Sequence, residues 1–188
     1  VRAYDAARRI SDLRRMQMLL NLIKSQGIVP ALSYLDKAED DGRTGGRGTN
    51  RFVANPAVHN FRTECRRIGD IHPKPSVVKD MVIERISQNE QSRIIIFTEY
   101  RYSVDSLLSI LSSIENIRAG KFIGQSTKGK DKGMTQKQQI ERLREFREGD
   151  INVLVATSVG EEGLDVPAAD LVLMYEPVPS AIRSIQRR

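Results

Sequence analysis

The stretch VLVATSVGEEGLDVP, residues 153–167, changes character at its middle. Val153 to Thr157 are apolar or β-branched at both parities, which is the pattern of a strand buried on both faces. Thr157 and Ser158 then bring hydroxyls and backbone amides suited to a phosphate oxygen. Gly160 and Gly163 let the backbone turn sharply or approach a ligand closely, and Glu161, Glu162 and Asp165 set carboxylates among them. The same letters also serve an ordinary strand-to-helix loop.

Outward from this stretch the pattern repeats. RIIIFT (93–98), KFIG (121–124) and LVLMY (171–175) are short apolar runs. Helical periodicity over 76–89, 102–113 and 135–148 separates them, a short helix or turn falls near 159–162, and a last helix starts at about 179. Apolar strands alternating with amphipathic helices predict βαβ units, a parallel sheet and a three-layer α/β/α sandwich. In such sheets ligands bind outside the carboxyl ends of the strands. Those ends are FTEYR, FIGQS, VATSVGEEGLD and YEPVP. Thr98 and Arg101 suit a sugar–phosphate backbone there, and Tyr100 or Tyr102 either stacks on a base or packs.

The first seventy residues differ. Ile10, Leu13, Met16 or Gln17, Leu20 and Ile23 or Lys24 mark an amphipathic helix over 2–25, with Arg8, Arg9, Arg14 and Arg15 largely on other faces. Gly27 ends it and Pro30 opens a second helix through Leu35. DKAEDDGRTGGRGTN, rich in glycine and charge, predicts a mobile loop near 39–51. Residues 54–69 are helical again, and HPKP (72–75) predicts a rigid break and a domain boundary, giving domains 1–70 and 71–188.

The net charge is +6, and residues 1–70 hold +5 of it. A basic arm beside a nearly neutral domain suits a polyanion, nucleic acid first; a solvated basic face is the plainer reading. The lone Cys65 forms no internal disulfide and fits a reducing, intracellular setting. With two histidines and one cysteine a structural zinc site is not expected. No run is long enough to span a membrane, and the first residues carry no secretion-signal pattern.

FIGQSTKGKD, residues 122–131, spaces Gly124, Gly129 and Lys130 as in the phosphate-binding loop G-x-x-x-x-G-K-[ST]. The hydroxyl that would bind Mg²⁺ is replaced by Asp131, which sets a negative charge beside the phosphates.

Taken in order, these segments resemble the second RecA-like domain of superfamily-two helicases, with the Hef/Fanconi-anaemia-M group of DNA helicase-translocases the nearest match. IIIFTEYR is similar to helicase motif four, VLVATSVGEEGLDVP to motif five, and YEPVPSAIRSIQRR runs into motif six. FIGQSTKGKDKGMTQKQQIERLREFREG is similar to the segment between motifs four and five. The resemblance covers 72–188 strongly. Residues 1–70 resemble, less specifically, the helical insertion, thumb-like, between the two motor domains.

The resemblance implies a fragment of an ATP-dependent helicase acting on branched or forked DNA, with RNA an open alternative, in the cytoplasm, nucleoid or nucleus. ATP and Mg²⁺ would be bound mainly by the first RecA-like domain, this chain's partner within one polypeptide, so the chain by itself would need no cofactor and turn over no ATP. Gln186 matches the motif-six glutamine that faces the phosphates or attacking water. Gly163 and Asp165 match nucleotide-facing positions. Thr157, with Ser158, matches the contact to a DNA phosphate, and Thr98 and Arg101 are weaker carry-overs to the DNA backbone. The arginine fingers of the family follow in a Gly-Arg-Thr-Gly-Arg continuation beyond Arg188. Lys128 and Lys130 then meet a nucleic-acid backbone, or water, rather than ATP. A non-catalytic nucleic-acid-binding adaptor and a self-contained P-loop NTPase are the competing readings.

Overall fold

The computed structural model describes residues 2–43, 46–69, 72–125, 132–157 and 168–176. The chain divides into two compact units, Val1–His72 and Pro73–Arg188.

The first unit consists of α1 (Arg2–Gln26), α2 (Ile28–Arg43), α3 (Arg47–Val53) and α4 (Pro56–Ile68). Gly27 adopts φ 98°, and its amide returns to the Leu22 carbonyl at 3.0 Å, so the glycine stops α1 and α2 begins at the next residue. Asn55 caps α4 by accepting the Ala57 amide at 2.9 Å. The buried apolar residues include Leu19, Leu22, Ile28, Leu35, Phe52 and Val58. On α1 this is a different stripe from the expected one: Ile10, Leu13 and Leu20 are exposed, while Leu19, Leu22 and Gln26 face inward. Periodicity alone does not say which of two apolar stripes meets a neighbour.

The expected mobile loop at 39–51 is corrected by the structure. Residues 39–43 continue α2, and 47–53 form α3. Gly42 is buried, and a Cβ there would lie 3.0 Å from the Asn50 Cα. The glycine therefore serves close helix approach rather than freedom. Phe52 anchors α3, and Arg51 Nη2 donates to both carboxylate oxygens of Asp12 on α1, at 2.8 and 3.0 Å. Arg62 on α4 reaches both Asp36 and Glu39 on α2. Its guanidinium draws the Glu39 carboxyl below its ordinary value, first by hydrogen bonding and then by its charge.

In the second unit α5 (Pro73–Gln88) begins inside the HPKP run. Pro73 and Pro75 occupy the first turn, where no intrahelical donor is required, so the prolines start a helix instead of interrupting the chain. Then follow β1 (Ile94–Thr98), α6 (Arg101–Leu111), β2 (Ala119–Phe122), α7 (Gln136–Glu148), β3 (Val153–Thr157) and β4 (Leu171–Met174). The strands are parallel, in the order β2-β3-β1-β4. The expected short helix near 159–162 and the last helix from about 179 lie outside the described residues.

Alternate residues of the central strands serve two layers. Ile94, Ile96, Val153 and Val155 pack with Val78, Val82 and Ile86 of α5 and with Val104, Leu107 and Leu111 of α6. Ile95, Phe97, Leu154 and Ala156 pack with Leu143 and Phe146 of α7. Every residue of β1 and β3 is buried, which is why these runs are continuously apolar. This is the expected three-layer α/β/α architecture.

β2 lies two residues earlier than KFIG suggests. Asn152 donates its backbone amide to the Arg118 carbonyl at 3.0 Å, and its side-chain oxygen accepts the Arg118 amide at 2.8 Å. This fixes Ala119 opposite Val153. A Cβ on Gly120 would sit 2.6 Å from the Ile151 Cδ1, so a larger residue there would require Ile151 and Arg142 to shift.

Candidate functional site at the carboxyl edge of the sheet

Parallel strands bring all their carboxyl ends to one edge. Thr98 ends β1, Thr157 ends β3, and the two are register partners. They are 2% and 4% exposed. β4 continues into Tyr175, whose amide donates to the Phe97 carbonyl at 2.8 Å, which places Glu176 beside the end of β1. Glu176 is itself 9% exposed. Its Oε1 accepts the Thr98 hydroxyl at 2.9 Å and its Oε2 accepts the Glu99 amide at 2.9 Å. Burial, then the Glu99 and Glu176 carboxylates, pushes the Tyr100 phenol upward. On the β4 side the Lys74 ammonium stands 5.3 Å from the centroid of the Tyr175 ring.

α6 starts from this edge. Tyr100 is its N-cap in extended conformation, with no side-chain capping bond. Arg101 in the first turn donates from Nη2 to the Gly124 carbonyl at 3.1 Å, tying α6 to the end of β2. Gln139, 4% exposed on α7, donates to the Ile123 carbonyl at 2.8 Å and accepts from Gln125 at 3.4 Å. Gly133 packs directly on the Gly124–Gln125 backbone, where a Cβ would clash. Together these contacts close the neck of the segment that contains Lys128 and Lys130. Lys132 at its described end is exposed.

Of the expected site residues, the structure brings together Thr98 and Thr157 on adjacent strands, with Arg101 on the helix that follows β1. Thr98 has a partner within its own domain. It is buried behind Glu176 with its hydroxyl proton donated inward, because β4 delivers a carboxylate to the end of β1. Arg101 is half-buried and spends at least one donor on a backbone carbonyl. Ser158, Gly163, Asp165 and Gln186, with Lys128 and Lys130, lie outside the described residues. Glu176 and Gln139 were missed by sequence reasoning. The signal for Glu176 was a carboxylate directly after an apolar strand; Gln139 was hidden in a polar helix.

The phosphate-loop reading of 124–131 meets a geometric objection. In that motif the lysine opens a helix whose free N-terminal amides receive the phosphate. Here α7 begins only at Gln136, and a capping box closes its N-terminus: Thr135 Oγ1 accepts the Gln138 amide at 3.3 Å, and the Gln138 side chain accepts the Thr135 amide at 2.8 Å. Among the described residues no group of three His, Cys, Asp or Glu stands ready to hold a metal ion. The helix after Gly124 therefore does not offer the free N-terminus that a phosphate loop needs.

The family model described as helicase conserved C-terminal domain matches residues 73–188. A Methanocaldococcus jannaschii protein, provisionally named an ATP-dependent RNA helicase, is 38% identical over 98% of this chain and 23% of its own length. The ATP-dependent DNA helicase fml1 of Schizosaccharomyces pombe is 35% identical over 89% of the chain and 21% of its own length. The Fanconi anemia group M protein of Gallus gallus is 33% identical over 87% of the chain and 9% of its own length. The crystal structure of the Pyrococcus furiosus Hef helicase domain superposes with TM-score 0.65 at 36% identity, covering 94% of this chain and 36% of that one. The chain thus spans less than a quarter of these curated relatives. A family match over the whole sheet-bearing unit, a parallel sheet in RecA-like order and likeness to Hef together place this chain among the superfamily-two helicases of the Hef/Fanconi-anaemia-M type, with residues 73–188 as the conserved C-terminal helicase domain.

Proposed function

We propose that this chain is one half of an ATP-dependent DNA helicase or translocase motor that works on branched or forked DNA. The observation that carries the reading is similarity over nearly the whole chain to proteins named as ATP-dependent DNA helicases. In this reading the carboxyl edge of the sheet forms one wall of a cleft whose other wall is a first RecA-like domain. Thr157, with Ser158, and the segment holding Lys128 and Lys130 meet the DNA backbone, and Arg101 braces that side. Gly163, Asp165 and Gln186 face the nucleotide. ATP and Mg²⁺ belong mainly to the first domain, and no chemical step is assigned to these residues alone.

Residues 1–70 act as the helical insertion between the motor domains, with exposed Arg8, Arg9 and Arg14 as phosphate contacts. The alignments extend through this unit, which supports that assignment. A motor on chromosomal forks places the protein in the nucleoid or nucleus.

The test compares ATP turnover by the purified chain with that of a polypeptide carrying both motor domains, with and without forked DNA. We expect no turnover by the chain and DNA-stimulated turnover by the longer protein. Turnover by the chain above background would overturn the reading. The name of the archaeal relative favours a second reading, an RNA substrate; stimulation by single-stranded RNA but not DNA would select it.

A further inference from the structure

The end of β1 was expected to touch the nucleic-acid strand through Thr98, yet the geometry there points inward. Thr98 is 2% exposed and Glu176 is 9% exposed. The Thr98 hydroxyl has one proton, and Glu176 Oε1 accepts it at 2.9 Å. The Tyr100 amide approaches the same hydroxyl oxygen at 3.5 Å. A hydroxyl that gives its proton to a buried carboxylate cannot also donate it to a phosphate, which has only acceptors to offer. The second oxygen of Glu176 holds the Glu99 amide at 2.9 Å. One carboxylate thus holds the last residue of β1 and the first residue of the link to α6, and Arg101, in the first turn of α6, reaches Gly124 just beyond β2. The carboxylate also lies near the N-terminal end of α6, where a negative charge is favourable.

We propose that Glu176 is a positioning residue of the motor and that Thr98 acts through it: the carboxylate fixes the β1–α6 junction and so the stance of Arg101, while Thr98 makes no direct contact with the strand. The proposal rests on the reading that this domain binds nucleic acid. In that setting Glu176 links the β1–α6 junction to the segment that starts at Pro177 and carries Gln186.

The experiment uses the chain with Thr98→Val, Glu176→Gln and the pair together. A single-stranded DNA oligonucleotide is titrated over a range of NaCl concentrations, and thermal unfolding is followed in parallel. The Thr98 hydroxyl carries no charge, so the loss of a contact from it would not itself change the slope of log K against log salt; that slope, about 0.7 per neutralised phosphate of a single strand, counts the cationic contacts that remain. We expect both single variants to weaken binding several-fold with the salt slope unchanged. Each should lower Tm by roughly 4 °C, and the double variant should lower it by clearly less than the sum. Thr98→Ser, which keeps the hydroxyl, should restore both readouts. Thr98→Val weakening binding while Glu176→Gln binds as wild type, or Tm losses that simply add, would overturn the proposal. Should Thr98→Val fail to fold, Glu176→Gln decides: wild-type binding and Tm would sink the idea. If the unsubstituted chain binds no DNA, the functional reading fails instead, and the Tm cycle still decides whether Thr98 and Glu176 act as one unit.

Discussion

The two units of this chain solve the same problem with different materials. Unit 73–188 is built around a sheet whose central strands, β1 and β3, are buried along their whole length, with apolar helices on both faces. Unit 1–72 has no sheet among its described residues, and charges cross between its helices: Arg51 to Asp12, Arg62 to Asp36 and Glu39, and Arg66 to Asp36. Buried apolar area is worth roughly 25 cal/mol per Å² in any salt, whereas exposed ion pairs contribute about 0–1 kcal/mol each and are screened. The second unit should therefore be robust to ionic strength and pH, and the first should be the part that responds to both.

The largest expected effect lies in the sheet unit. Phe146 is fully buried against β1 and β3. Phe146→Ala should cost about 3–5 kcal/mol, as large-to-small changes in packed cores do. Urea unfolding followed by circular dichroism would show it. A loss below about 1 kcal/mol would mean that the sheet unit is not the close-packed partner in the comparison.

A smaller effect tests the helical unit, and its sign is the point. At an ordinary helical position Gly→Ala stabilises by up to about 1 kcal/mol. At Gly42 the added carbon would meet the Asn50 backbone at 3.0 Å. Gly42→Ala should therefore lower Tm, by roughly 2–4 °C if the cost is about 1 kcal/mol. A rise would return residues 39–51 to the loop reading.

The smallest effect is a pH response. Arg62 holds the Glu39 carboxyl below its ordinary value across the α2–α4 contact. Glu141 is also lowered, first by its hydrogen bond from Arg144, but both groups lie on α7. A carboxyl depressed in the folded state adds stability above its unfolded pKa, and that stability is lost as pH falls through the folded value. Acidification below the ordinary glutamate range should thus loosen α2 from α4 before it disturbs the sheet unit, and Arg62→Met should remove the Glu39 share of that pH dependence. Thermal scans at stepped pH would check this; a pH response unchanged in Arg62→Met would show that the charges between helices carry nothing.

Much of the sheet unit was readable because burial on two faces forces continuous β-branched and apolar runs, and RIIIFT and NVLVAT sit within a residue of β1 and β3. β2 slipped by two positions because an edge strand is half-buried, so its letters carry less signal than the Asn152–Arg118 bonds that set its register. The helices of the first unit were read as helices, yet the packed stripe of α1, the extension of α2 to Arg43 and the helix α3 were not. Both depend on which neighbour arrives, and a glycine written for close approach looks the same in sequence as one written for freedom.

At the candidate site the division is sharper. The sequence by itself determined the family, the parallel sheet and the strand ends that hold Thr98 and Thr157, because alternating apolar runs and motif wording carry that much; the strand order that makes the two register partners came from the structure. Only the tertiary structure decided which way Thr98 points. Its partner Glu176 lies seventy-eight residues away, just beyond β4, a strand that local pattern cannot pair with β1. A hydroxyl's role is set by the nearest acceptor in space, and that acceptor arrives only when β4 closes against β1.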